Sequence, residues 1–183
     1  MKKSLLFVIT VALVACNNQP AATVDSPAKP ATDSAIAEIK SPYAIGYSSK
    51  FVMGDPKNAE SVLKLWKSWD NGDLSSAKDL FADSVELHMA GGEMMRGPRD
   101  SVIAGAQGFR GTMSSAVSTV YTITALKSTD KNENWGLVWG KEIDSYKTGK
   151  VDSFYLQETW KFNKDGKADL VYQFKAAIAP AKK

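Results

Sequence analysis

Apolar side chains along this chain follow two different periods. Between Asp55 and Phe109 they recur mostly at three- and four-residue spacing, the mark of helices, and from Ala116 to about residue 178 they follow the strand pattern. The first helix is well signalled: Asp55 can cap it, Pro56 suits its first position, and Gly72 follows its end. Ala59, Val62, Leu65, Trp66 and Trp69 form its apolar stripe. Asp73 can cap a second, short helix from Leu74 to Ala82. The run Ser84 to Met89 then alternates, with Val85, Leu87 and Met89 on one face and Glu86 and His88 on the other. Gly91 and Gly92 turn the chain, and after Met94 to Arg96 the pair Gly97 and Pro98 starts a third helix, Arg99 to about Phe109, weakened by Gly105 and Gly108. Long segments rich in Val, Thr, Tyr and Trp predict strands near 116–128, 135–147, 151–163 and 168–178, with polar turns at Thr129–Asn134, Thr148–Lys150 and Asn163–Gly166. Helices followed by a strand meander predict an α+β domain with the helices on one face of the sheet.

The N-terminus has a different logic. Lys2 and Lys3 precede an apolar run from Leu5 to Val14, which ends in Leu13, Val14, Ala15 and Cys16. The run is shorter than the roughly 20 residues that span a bilayer. Its three-part grammar is that of a secretory signal, and it resembles a bacterial lipoprotein signal: residues 1–15 are removed and Cys16 is acylated. Cys16 is the single cysteine, so no disulfide forms within the chain. Asn17 follows it, and no acidic residue appears before Asp25. By the same resemblance, the missing aspartate next to the cysteine and the missing acidic cluster favour the periplasmic face of the outer membrane. Residues 16–42 are rich in Pro, Ala, Ser, Thr and Asp, a composition too polar to offset its chain entropy, and read as a disordered tether. Residues 43–180 are the size of one domain.

Charge excludes one class of partner. Removing Lys2 and Lys3 from the 23 basic side chains leaves 21 against 20 acidic ones, which is no electrostatic footprint for nucleic acid. One histidine and one lipidated cysteine leave no nitrogen–sulfur ligand set for zinc, and no other cofactor is implied.

Four motifs in order carry a resemblance to the nuclear transport factor 2-like, or SnoaL-like, superfamily: Trp69 to Asp73, Leu80 to Asp83, Arg96 with Gly97, and Trp160 to Lys167. The resemblance covers about 55–178. It implies a cone-like α+β fold of the cystatin-like kind, about three N-terminal helices packed in a strongly curved, mainly antiparallel sheet. It also implies an apolar pocket at the wide end and, often, a homodimer through the sheet.

Within that superfamily the ketosteroid isomerase branch needs a tyrosine, a carboxylate base and a protonated acid. Aligned on the shared turns, the tyrosine position falls on Leu65 and the base position on Met89, neither of which can do that work. The protonated acid's position falls on Glu158. The strand pattern reaches the same residue independently, because Phe154, Leu156, Trp160 and Phe162 share its face, where burial should raise a carboxyl pKa. Gln173 or Tyr172 faces it across the last strand. Trp66, Trp69, Trp139 and Trp160 can line an apolar pocket or simply fill the core. His88 neighbours the base position and is a candidate acid or base, although alternation turns it to the opposite face. Arg96 and Arg99 can meet an anion at the third helix or form a solvated rim. Three functions follow: a lipid-anchored domain binding a small, largely apolar ligand without catalysis; an isomerase, dehydratase or hydrolase using Glu158 with His88; or a membrane-tethered interaction module.

Overall fold

The computed structural model describes residues 39–178, and Cys16, the signal segment and the tether to residue 38 lie outside them. Helix α1, Pro56–Asn71, is built as its end signals require. Asp55 accepts the Lys57 N–H at 2.9 Å, and Gly72 closes the helix at φ 75°, with its N–H on the Ser68 and Trp69 carbonyls. A side chain at Gly72 would be forced into that left-handed conformation. The next segment, Leu74–Leu80, is a 3₁₀ helix that stops short of Ala82. Phe81 and Ala82 belong instead to strand β2, Phe81–His88, because Phe81 pairs with Ala168 of the final strand.

Two strands were not signalled by alternation. β1, Phe51–Met53, adds to an edge, and β3, Met94–Pro98, folds back on β2 before helix α2, Arg99–Arg110. The meander of β4, Met113–Ser128, β5, Glu133–Tyr146, β6, Val151–Phe162, and β7, Ala168–Ala177, follows the predicted breaks closely. The sheet order is β1-β4-β5-β6-β7-β2-β3, antiparallel except where β7 lies parallel to β2. Register steps near Tyr121 in β4, between Phe81 and Glu86 in β2, and at the end of β6 mark the bends of the curved sheet. Both helices pack on it: α1 lies against β4 and β5, and α2 against β2 and β3.

β5 is built inside out. Its apolar series Leu137, Trp139 and Ile143 lies half-exposed on the outer face, while Gly136, Val138, Gly140, Glu142 and Asp144 face α1 and the core. The glycines explain why. A Cβ on Gly136 would lie 3.0 Å from Val62 Cγ2 and 3.2 Å from Phe162, and one on Gly140 would lie 2.5 Å from the Thr119 carbonyl oxygen and 2.9 Å from the Trp66 ring. Helix α1 therefore rests close on strand backbone: a side chain at Gly140 would run into the Thr119 carbonyl, and one at Gly136 would crowd Val62 and Phe162. The outer face of the sheet in turn shows Val117, Tyr121, Tyr155 and Phe174 to solvent.

Candidate functional site

The helices and the sheet leave a cavity of about 110 Å³ between them, open on one side. An apolar cavity of about 150 Å³ holds one benzene ring, so this space suits a molecule of about one ring. α1 supplies Leu65, Trp66 and Trp69 to its wall. Leu87 comes from the end of β2 and Met89 from the residue just past it, and Ile103, Ala106 and Phe109 from α2. The sheet side carries the polarity: Glu142 from β5, Glu158 and Trp160 from β6, and Gln173 and Lys175 from β7.

Glu158 is buried and fully engaged. Its Oε2 accepts the indole N–H groups of Trp66 at 2.6 Å and Trp160 at 3.0 Å, and its Oε1 accepts the Gln173 amide at 2.8 Å. The register fixes that last bond, since Glu158 pairs directly with Gln173, while Tyr172 faces the other way. Burial pushes the Glu158 carboxyl above its ordinary range, and the three N–H donors pull against it. Trp66 and Trp160 thus serve both as apolar wall and as donors that hold a carboxylate in place.

Glu142 is the neighbour that alternation concealed. It is 5% exposed and accepts one hydrogen bond among the described residues, from Trp69 Nε1 at 3.1 Å. Its pKa is pushed up to about 8, first by burial, then by the charge of Asp144 and a hydrogen bond with it, and then by Glu158. Asp144 stands two residues along the same strand face, 1% exposed, and its Oδ1 has no hydrogen-bond partner. Burial raises Asp144 as well, opposed by Glu142, Lys175 and Arg110. The buried Arg110 is otherwise occupied: Nε donates to the Trp69 carbonyl at 2.7 Å and a terminal nitrogen to the Asp70 carbonyl at 3.1 Å, closing the C-terminus of α1. Lys175 is exposed at the mouth, with its ammonium 4.0 Å above the Phe154 ring.

No protein-family model matches the chain, and no curated protein matches it by sequence. Solved structures do match its shape. SalBIII, an epoxide hydrolase/cyclase-like enzyme of pyran-ring formation in the polyether salinomycin, has a TM-score of 0.55 at 12% identity, over 66% of this chain and 91% of that one. An LEH-like epoxide hydrolase of M. tuberculosis has a TM-score of 0.55 at 12% identity, over 66% and 83%. An NTF2-like protein of unknown function from Burkholderia pseudomallei K96243 has a TM-score of 0.52 at 16% identity, over 65% and 90%. The domain has the nuclear transport factor 2-like fold. At these identities the likeness is one of fold, and this fold carries more than one chemistry.

On this nuclear transport factor 2-like cone, most of the sequence-predicted residues come together: Leu65, Trp66, Trp69, Met89, Glu158, Trp160 and Gln173 all border the cavity. Trp139 does not. It projects from the outer face of β5, because Gly140 must face Trp66. His88 is also elsewhere, on the outer face, stacked on Tyr172 at 4.8 Å and bonded to Glu86, so it cannot join Glu158 in acid–base work inside the cone. Arg96 pairs with Glu86, and Arg99 reaches Asp83, Asp100 and the Phe81 carbonyl, which places both on a rim. Glu142 and Asp144 went unread because Trp135, Leu137, Trp139 and Ile143 form the more obvious apolar series. The usable signal was the glycine pair at 136 and 140, which marks the even positions as the close-packed face.

Proposed function

We propose that this domain binds a small, largely apolar molecule of about one ring in its cone cavity, and that lipidated Cys16 holds it on the periplasmic face of the outer membrane. One observation carries the binding reading: Leu65 and Met89 both border the cavity, so the positions that would hold an isomerase's tyrosine and base contribute apolar wall instead. Glu158 has its acceptors taken by Trp66, Trp160 and Gln173, which suits a wall of fixed polarity better than a group that must exchange protons.

A second reading, an acid–base enzyme, rests on Glu142, whose raised pKa lies in the range a general acid needs. One experiment separates the two. Toluene, phenol and cyclohexene oxide are titrated while the fluorescence of Trp66, Trp69 and Trp160 is followed. Saturable responses are expected with a Kd of roughly millimolar or below, as suits seven or so heavy atoms, and they should vanish in Ala106→Phe, where a ring fills the cavity. Recovery of unchanged cyclohexene oxide supports binding, and its conversion to a diol supports the enzyme. No response from a folded wild-type protein removes both. For the anchor, Cys16→Ser is expected to shift the protein from the outer-membrane to the soluble periplasmic fraction; a wild-type protein already soluble there refutes it.

A further inference from the structure

Three carboxyl groups, Glu142, Asp144 and Glu158, crowd one side of the cone, and none of them takes part in any salt bridge among the described residues. Buried carboxylates are ordinarily paired with a cation or a metal. Here no group of His, Cys, Asp and Glu among the described residues is placed to hold a metal ion. Arg110 spends its guanidinium on backbone carbonyls, and Lys175 keeps its charge at the mouth. Asp144 Oδ1 has no N–H or hydroxyl donor, and the Asp144 carboxyl has only the Glu142 carboxyl to share a proton with, while Glu142 faces the cavity with a single N–H, from Trp69, to satisfy it. The helix wall opposite is aromatic, with Trp66, Trp69 and Phe109, and Trp160 adds a ring beside Glu158 on the sheet; the Arg110 guanidinium already lies 6.0 Å over the Trp69 ring. Indole faces are the surfaces to which organic cations are drawn, at about 2 kcal/mol when desolvated.

Resting on the ligand-binding reading above, we propose that the ligand is an organic cation, an amine or quaternary ammonium on an apolar body, with its charge set against Glu142 and its body against the indole walls. The cation supplies the charge that the fold leaves out. Glu142 has to be ionised to hold it, and its carboxyl is protonated through neutral pH, so binding expels a proton to the buffer. The groups that tune this step are Asp144 and Tyr146 on β5, Glu158 and Asp152 on β6, Lys175 on β7 and Arg110 on α2. The negative ones favour the cation, and Lys175 and Arg110 oppose it.

Phenyltrimethylammonium and tert-butylbenzene share one shape and differ by one charge, which makes them a direct test. Calorimetry at pH 8 is expected to show the cation binding at least tenfold more tightly, with proton release seen as a dependence of heat on buffer. The preference should shrink towards pH 5, where Glu142 keeps its proton, while tert-butylbenzene stays level. In Glu142→Gln, which retains an acceptor for Trp69, the preference is expected to disappear, with the two probes binding equally. Equal affinities in the wild type overturn the cation and leave the pocket standing. A preference that survives Glu142→Gln overturns the assignment to Glu142. A folded protein that binds toluene but neither of these ten-atom probes overturns the cation, and one that binds none of the three removes the pocket itself.

Discussion

Glu158→Leu is expected to lower stability by roughly 3–6 kcal/mol, while Glu158→Gln changes it by about 1 kcal/mol or less. Leucine fills the space but leaves two buried indole N–H groups and the half-buried Gln173 amide without an acceptor. Each such orphan costs about 1–3 kcal/mol. Glutamine keeps a carbonyl oxygen for Trp66 and Trp160, and its amide can face Gln173 once that side chain turns to present its own oxygen. It also removes the cost of a buried charge, which burial has already made unfavourable at Glu158. Urea unfolding of the two variants checks this. If glutamine proves as damaging as leucine, the charge and not the acceptor holds the site together.

The second large effect is on pH. Glu142 titrates at about 8 in the folded protein against an ordinary 4.5. Between those values the folded state holds a proton that the unfolded chain has lost, so stability is greatest below the lower value and falls as pH rises through the window. The slope approaches 1.4 kcal/mol per pH unit, or on the order of 4 kcal/mol across the window. Glu158 and Asp144 are shifted in the same direction and add to it. Thermal melts from pH 4.5 to 8.5 are expected to show Tm falling in the wild type and a much flatter course in Glu142→Gln. A wild-type Tm that climbs across this range would contradict a buried, protonated Glu142. The outcome also bears on the ligand: a bound cation relieves the same burden, so its stabilising effect should be largest at the alkaline end.

Local chemistry was legible wherever it decided the structure. Asp55, Pro56 and Gly72 bound α1 through contacts within a few residues, and the polar turns set the limits of β4 to β7. Long-range pairing was not legible. Phe81 and Ala82 have the composition to end a helix, and only the parallel approach of Ala168 makes them strand. The short β1 and β3 likewise exist because β4 and β2 offer them an edge. Within the site, Glu158 could be read because its strand is apolar inside and polar outside. Glu142 could not, because the inner face of β5 is set by how near α1 must come, which leaves Leu137, Trp139 and Ile143 on the convex side. Hydrophobic alternation reports burial only where packing distance does not overrule it.

The two glycines of β5 carry a further meaning for ligand size. Neither Gly136 nor Gly140 touches the cavity, yet together they set the height at which α1 rides, and with it the separation between the Trp66 and Trp69 walls and the carboxyls opposite. A methyl group at 136 would press on Val62 and lift the helix like a shim under a beam, whereas one at 140 would push first against the Thr119 carbonyl and then against the Trp66 ring. The choice of cargo would then change with every residue in contact with it left intact.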